Sequence, residues 1–227
     1  SKKSETVTIM HYGDSQIEMD RISSLLRQRL QERFGGMGAG IHPPIQTIPT
    51  FTTSQSYSGS LQRYVVYGDT SQPRAAHRRY GILGTFAQVY DNATITLTAS
   101  SGKRIQENAK TFQQVRLIVG NNQGKFSAIC RNQTRTINTA KRGLTVLKWE
   151  FDELISRASL VLNGTAEIYG ISLSGKNGVT LSNVPMRGAS GTIFTRIDSA
   201  LLTQSYQAMN VPLIIMQYGG NMMPQIN

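Results

Sequence analysis

The sequence predicts an α/β protein whose parallel sheet is interrupted by a long all-β insert. Three observations carry that prediction. A strand followed by a helix-period stretch opens the chain, and a loop, helix and strand close it, an order that builds parallel sheets. Between them, residues 45–178 hold short runs rich in Val, Ile, Thr, Tyr and Phe, punctuated by turn residues, which reads as a β-sandwich. Charge divides at the same boundaries: 45–178 carries 16 Lys or Arg against 7 Asp or Glu, within a chain of net charge +11.

Composition narrows the class. With 227 residues, 39% apolar and 16% charged, the chain can bury a sizeable core. No apolar run approaches the ~18 residues of a membrane helix, so no membrane span is expected. The single cysteine, Cys130, falls in the alternating stretch 126–130, which places it in a strand as a buried structural side chain. His11, His42 and His77 lie far apart without metal-ligand spacing, so no metal site is expected, and no cofactor motif is present.

The first part, residues 1–44, is organised around Gly13-Asp14-Ser15-Gln16. Val7, Ile9 and the run to Tyr12 read as a buried strand. Gln16 to Phe34 carries Ile17, Ile22, Leu25, Leu26, Leu30 and Phe34 at helical spacing, which predicts a helix with that apolar face inward. Ser15 then sits on a strand-to-helix turn, where its hydroxyl is lifted clear of the sheet and the helix N-terminus favours developing negative charge. The plainer alternative is a turn with an N-cap.

Within 45–178, strands are expected at 64–67, 80–90, 94–98, 113–119, 144–151, 159–162 and 167–173, with a turn at Asp91-Asn92 among others. Arg74, Arg78, Arg79, Lys103, Arg104, Arg131, Arg135, Lys141 and Arg142 line a basic face or simply a solvated surface. No nucleic-acid-binding motif accompanies them, so no nucleic-acid partner is expected. The last part, 179–227, reads as a strand at 179–184, a small-residue loop at 187–192, a helix at 197–209 and a buried strand at 211–217 leading into Tyr218-Gly219-Gly220-Asn221. Ser15, the 188–191 loop and Asn221 each follow a strand, so they should share one rim of the sheet.

These blocks resemble the SGNH hydrolases of the GDSL-esterase superfamily. Gly13-Asp14-Ser15-Gln16 is similar to the family's first block, the glycine of Ser190-Gly191-Thr192 to its second, and Gly219-Gly220-Asn221 to its third. The resemblance implies a flavodoxin-like doubly wound parallel sheet, incomplete in this chain, and an insert like the carbohydrate-binding sandwich of peptidoglycan O-acetylesterases. It implies a serine ester hydrolase in which Ser15 is the nucleophile and the Ser15 N–H, the Gly191 N–H and the Asn221 amide hold the oxyanion, with Gly188 as the alternative glycine. The implied substrate is an acylated carbohydrate polymer, and the implied location secreted or periplasmic.

Two departures from the family pattern stand out. Met222 occupies the place of an aspartate, and no residue matches the family's Asp-x-x-His. The expectation is therefore a companion polypeptide segment that carries the catalytic His. The alternatives are a non-catalytic glycan-binding protein on the same scaffold and a lipase-type acylhydrolase.

Overall fold

A computed structural model describes residues 5–221. In chain order it holds β1 (Val7–Gly13), a 3-10 turn (Ser15–Asp20), α1 (Ser23–Phe34), β2 (Gly40–His42) and β3 (Thr53–Val65). The middle of the chain continues with β4 (Thr85–Ala99), β5 (Phe112–Gly120), β6 (Phe126–Cys130), β7 (Gln133–Ile137), β8 (Thr145–Ile155), β9 (Arg157–Asn163) and β10 (Ala166–Ser174). It closes with β11 (Val179–Pro185), a 3-10 turn (Gly191–Arg196), α2 (Ser199–Ala208) and β12 (Leu213–Gln217).

The flavodoxin-like expectation is overturned. Among the described residues the parallel sheet has three strands, in the order β11-β1-β12, while a nine-stranded antiparallel sheet forms their bulk. Its main path runs β7-β6-β9-β4-β10-β5-β8, with β2 on β10 and β3 on β4. A tight connection dictates part of this pairing: Arg131 and Asn132, both at positive φ, join β6 to β7. Strands linked so closely can only be antiparallel neighbours.

Nor is the β-rich part an open two-layer sandwich. Its end strands β7 and β8 approach each other, where the Arg135 guanidinium donates to the Lys148 carbonyl at 2.9 Å and the Trp149 indole to the Gln133 carbonyl at 2.8 Å. The sheet is thus nearly closed as a barrel, filled by Phe112, Leu117, Phe126, Trp149, Leu160 and Ile171. Near closure brings together the two ends of the main path, while β3, paired with β4 alone among the described residues, keeps a free edge.

The expected turn at Asp91-Asn92 is instead the middle of the 15-residue β4. The register of β3 on β4 shifts between Gly59 and Leu61, and Gly59 at φ 95° lies so close to the Asn92 carbonyl that a Cβ would sit 2.3 Å from it. A bulge lets a polar pair interrupt the alternation without ending the strand. Burial of Cys130 matches the sequence reading, and it pushes the thiol up to about 11.

The parallel sheet and the barrel share a second core. Met10 and Tyr12 of β1, Leu201 of α2, and Phe86, Ile118 and Tyr169 of the barrel belong to one buried cluster, and the Tyr12 hydroxyl donates to the Ile82 carbonyl at 2.8 Å.

Helix α1 departs furthest from expectation. The helix predicted from Gln16 breaks at Glu18 and Met19, and α1 proper starts at Ser23. It buries Ser23, Arg27 and Gln31, while Ile22, Leu25, Leu26 and Phe34 face outward, Leu25 at 54% and Phe34 at 57% exposure. The polar stripe wins because each of its residues bonds a group that packing would otherwise strand. Ser23 joins His11 and Asn183, Arg27 donates to the Leu181 carbonyl and to Asp20, and Gln31 donates to the Gly38 carbonyl.

Candidate active site

The three parallel strands end together: Gly13 of β1 is the register partner of Pro185 in β11 and of Gln217 in β12. The segments that follow them converge. Ser15 is exposed at the first position of its 3-10 turn, and Asp14, buried, caps that turn by accepting from the Gln16 N–H at 2.9 Å. The Asn221 amide donates to the other Asp14 oxygen at 3.4 Å and to the Ala189 carbonyl at 3.2 Å. Asn221 therefore ties the Ser15 turn to the 188–191 loop.

Glycine at 13 has a steric cause, since a Cβ there would lie 2.8 Å from the Gln217 carbonyl oxygen and 3.0 Å from Ile17 Cδ1. Gly188, at φ 72°, answers to the backbone conformation, whereas a Cβ on Gly191 would meet nothing within 4 Å. The Gly191 position also opens a short 3-10 turn whose N-cap, Ser190, makes no side-chain cap bond, because its hydroxyl is paired with Thr192 at 2.7 Å. Its backbone N–H groups are thus left uncapped by that side chain.

Charge around the turn is organised by ion pairs. Glu18 and Arg187 form a two-pronged pair at 2.6 Å for both bonds, which clamps the Ser15 turn to the loop after β11. The Arg21 guanidinium donates to the Ser15 carbonyl at 2.7 Å and so places a positive charge beside the turn. Met19 and Asp20 sit at φ 61° and 67°, a strained pair for residues other than glycine. Asp20 is held there by two bonds from Arg27, at 2.7 and 2.9 Å, and one from Thr52 at 3.0 Å. Of Asp14, Asp20, Arg21 and Arg27, only Asp14 fell within a block that the sequence singled out.

Each histidine is engaged away from Ser15. His11 is buried between Ser23 Oγ at 2.9 Å and Gln217 Oε1 at 3.1 Å, and burial lowers its basicity. His77 lies 3.2 Å from Glu167 through Nε2 and accepts the Arg79 N–H at Nδ1. His42 is buried beside Thr53, and burial together with the Arg27 charge pushes its pKa down to about 4.

That depression has a pH consequence. Between about pH 6.5 and 4 the unfolded chain takes up the His42 proton and the folded chain does not, so stability falls as pH falls through that window. The loss should reach about 3 kcal/mol at the acid end. Urea unfolding at pH 7 and pH 4.5 reads it, and His42→Gln should flatten the dependence; an unchanged slope in that variant would remove His42 as its cause.

The basic side chains are mostly occupied. Arg74 donates to the carbonyls of Val65, Tyr67, Gly68 and Asp69, and Arg78 to those of Thr195 and Arg196. Arg79 reaches the Arg142 carbonyl, and Arg131 pairs with Glu153 at 2.7 Å. The bonds of Arg74, Arg78 and Arg79 clamp loops. Met222 lies outside the described residues, and among those residues no helix is long and apolar enough to cross a membrane.

No known protein-family profile matches the sequence, and no curated protein matches it. Among solved structures, the chain is similar to one described as "Peptidoglycan O-acetylesterase in action, 5 min", with 21% identity and a TM-score of 0.76 over 98% of this chain. This chain spans 59% of the length of that protein. A family two carbohydrate esterase from Cellvibrio japonicus matches at 10% identity and a TM-score of 0.30, over 74% of this chain and 53% of that one. At such identities it is the fold that is shared, and only the first overlay is close enough to establish it: the chain has an esterase-like fold.

Proposed function

We propose that this chain is the nucleophile-bearing part of a serine ester hydrolase of the SGNH type, which removes O-acyl groups, acetyl foremost, from a carbohydrate polymer such as peptidoglycan. The observation that carries the reading is the convergence of the Ser15 turn, the 188–191 loop and Asn221 at one end of β11-β1-β12. The shared fold with a peptidoglycan O-acetylesterase supports the substrate class. A polymer of that kind places the protein outside the cytoplasmic membrane.

In the mechanism, Ser15 Oγ attacks the ester carbonyl while an imidazole takes its proton. The oxyanion is held by the N–H of Ser15, the N–H of Gly191 and the Asn221 amide. Gly191 is favoured over Gly188 because neither packing nor backbone conformation accounts for a glycine at 191. The two bonds of the Asn221 amide are long enough, at 3.2 and 3.4 Å, for a charged oxygen to displace one. Collapse of the intermediate breaks the bond to the sugar oxygen, which leaves with the imidazole proton, and water then hydrolyses the acyl-serine.

The imidazole comes from a companion segment outside residues 1–227. Its support is that His11, His42 and His77 are all engaged elsewhere. Exposed apolar side chains on α1 and on β12, where Leu213 is 49% and Met216 54% exposed, offer that segment a surface. The same histidine evidence favours a second reading, a glycan-binding protein that performs no catalysis.

The test is reaction of the complete protein with a fluorophosphonate, followed by peptide mass analysis. Covalent modification at Ser15 supports the hydrolase, and an unmodified Ser15 supports the second reading. A further prediction concerns the oxyanion: Asn221→Ala should cut kcat on an aryl acetate by about 10² to 10³ with KM little changed. An effect confined to KM would assign Asn221 to ground-state binding.

A further inference from the structure

A cavity of about 60 Å³ lies at the seam between the two sheets, off the outer edge of β11. Ile41, Ile45, Leu83 and Pro185 give it apolar walls, and the Asp20–Arg27 pair borders it. Pro185 is the register partner of Gly13, two residues before Ser15, so the cavity adjoins the rim that carries the candidate nucleophile. Thr47 is the exposed member of its lining and marks its opening.

Two lining side chains carry polar atoms that are shielded from solvent and have no partner: Gln46 Oε1 and Arg63 Nε. Their roles are fixed by the bonds that the same side chains already make. The Gln46 amide nitrogen donates to the Ile48 carbonyl at 2.9 Å, which leaves Oε1 as a free acceptor. Arg63 Nη1 donates to Gln72 Oε1 at 3.1 Å, which leaves the Nε–H as a free donor. Each orphan costs about 1–3 kcal/mol, so an occupant that answers both is favoured.

Chemistry selects that occupant. The lining also holds His42, Thr50, Thr52, Thr85 and Asn183, but the one acceptor and one donor left without partners match the N–H and C=O of a secondary amide, with its methyl against the isoleucines. A carboxylate would suit Arg63 but face Gln46 Oε1 and the Asp20 charge, and an O-acetyl ester has no N–H to give. Size agrees: at roughly 10–15 Å³ for each water-sized body, 60 Å³ holds about four to six, and an acetamido group has four non-hydrogen atoms. We propose that this cavity binds the acetamido group of an N-acetylated amino sugar, a subsite that places a glycan unit next to Ser15; its role in turnover rests on the hydrolase reading, its binding does not.

The experiment titrates the full protein, labelled with ¹³C at isoleucine methyls, with N-acetylglucosamine, glucosamine and glucose. Ile41 and Ile45 should shift with N-acetylglucosamine alone, and Arg63→Met or Gln46→Met should weaken that response at least tenfold while the Ile118 methyl in the shared core stays unmoved. Equal shifts with glucose, no shift, or indifference to both substitutions overturns the subsite. Hydrolysis of an aryl acetate is followed in parallel: activity without isoleucine shifts defeats the subsite only, and isoleucine shifts in a protein that lacks activity support the subsite and count against the hydrolase.

Discussion

Replacing Ser15 with alanine should lower turnover of an aryl acetate by the complete protein by at least about 10³-fold, some 4 kcal/mol of transition-state stabilisation, with the fold intact. The size follows from the chemistry, because without the hydroxyl no acyl-enzyme forms and only positioning and oxyanion binding remain. The fold should survive because Ser15 is exposed and the turn is capped by Asp14, not by Ser15. Arg21 contacts the Ser15 backbone carbonyl, which alanine retains. Unfolding midpoints of the two proteins should therefore coincide. Turnover within a few-fold of the parent would remove Ser15 as nucleophile, and a shifted midpoint would show that the turn depends on the hydroxyl.

What the sequence made legible follows the reach of each signal. The strands at 179–184 and 211–217 were readable as strands and both pair with β1 in parallel, but the burial expected at 211–217 is not found: Leu213, Ile214 and Met216 of β12 are exposed. The convergence of Ser15, the 188–191 loop and Asn221 followed from that, since residues after parallel strands share a rim. By contrast, β3 begins Thr-Ser-Gln-Ser-Tyr-Ser-Gly-Ser, a polar stretch that periodicity does not mark; it is a strand because β4 lends it a ladder. The doubly wound expectation failed for a related reason. Texture alone tells β from α but not which strands pair: β4 finds β9 and β10, and β1 finds β11 and β12, across long stretches of chain. The roles of Arg21 and Arg187 were illegible because each acts through a bond to a backbone carbonyl or to a segment remote in sequence.

Helix α1 shows the same limit most sharply, and it carries the second large prediction. Spacing placed Ile22, Leu25, Leu26 and Phe34 inward, but the chain buries Arg27, whose guanidinium satisfies the Leu181 carbonyl at 2.6 Å and pairs with Asp20 through two bonds. Both members of the pair are almost fully shielded, so their attraction is weakly screened while their loss of hydration is large. Arg27→Met should therefore destabilise the protein by about 3–5 kcal/mol, because Asp20 is left as a lone buried charge at a strained backbone position. Adding Asp20→Asn should restore more than half of the loss: asparagine is neutral, tolerates positive φ and can still accept from Thr52. Urea unfolding of the parent, the single variant and the pair measures both steps. Since Asp20 ends the turn that Ser15 begins, the single variant should lose activity in parallel and the pair should regain it. If Arg27→Met proves as stable as the parent, the polar face of α1 owes its burial to something other than this ion pair.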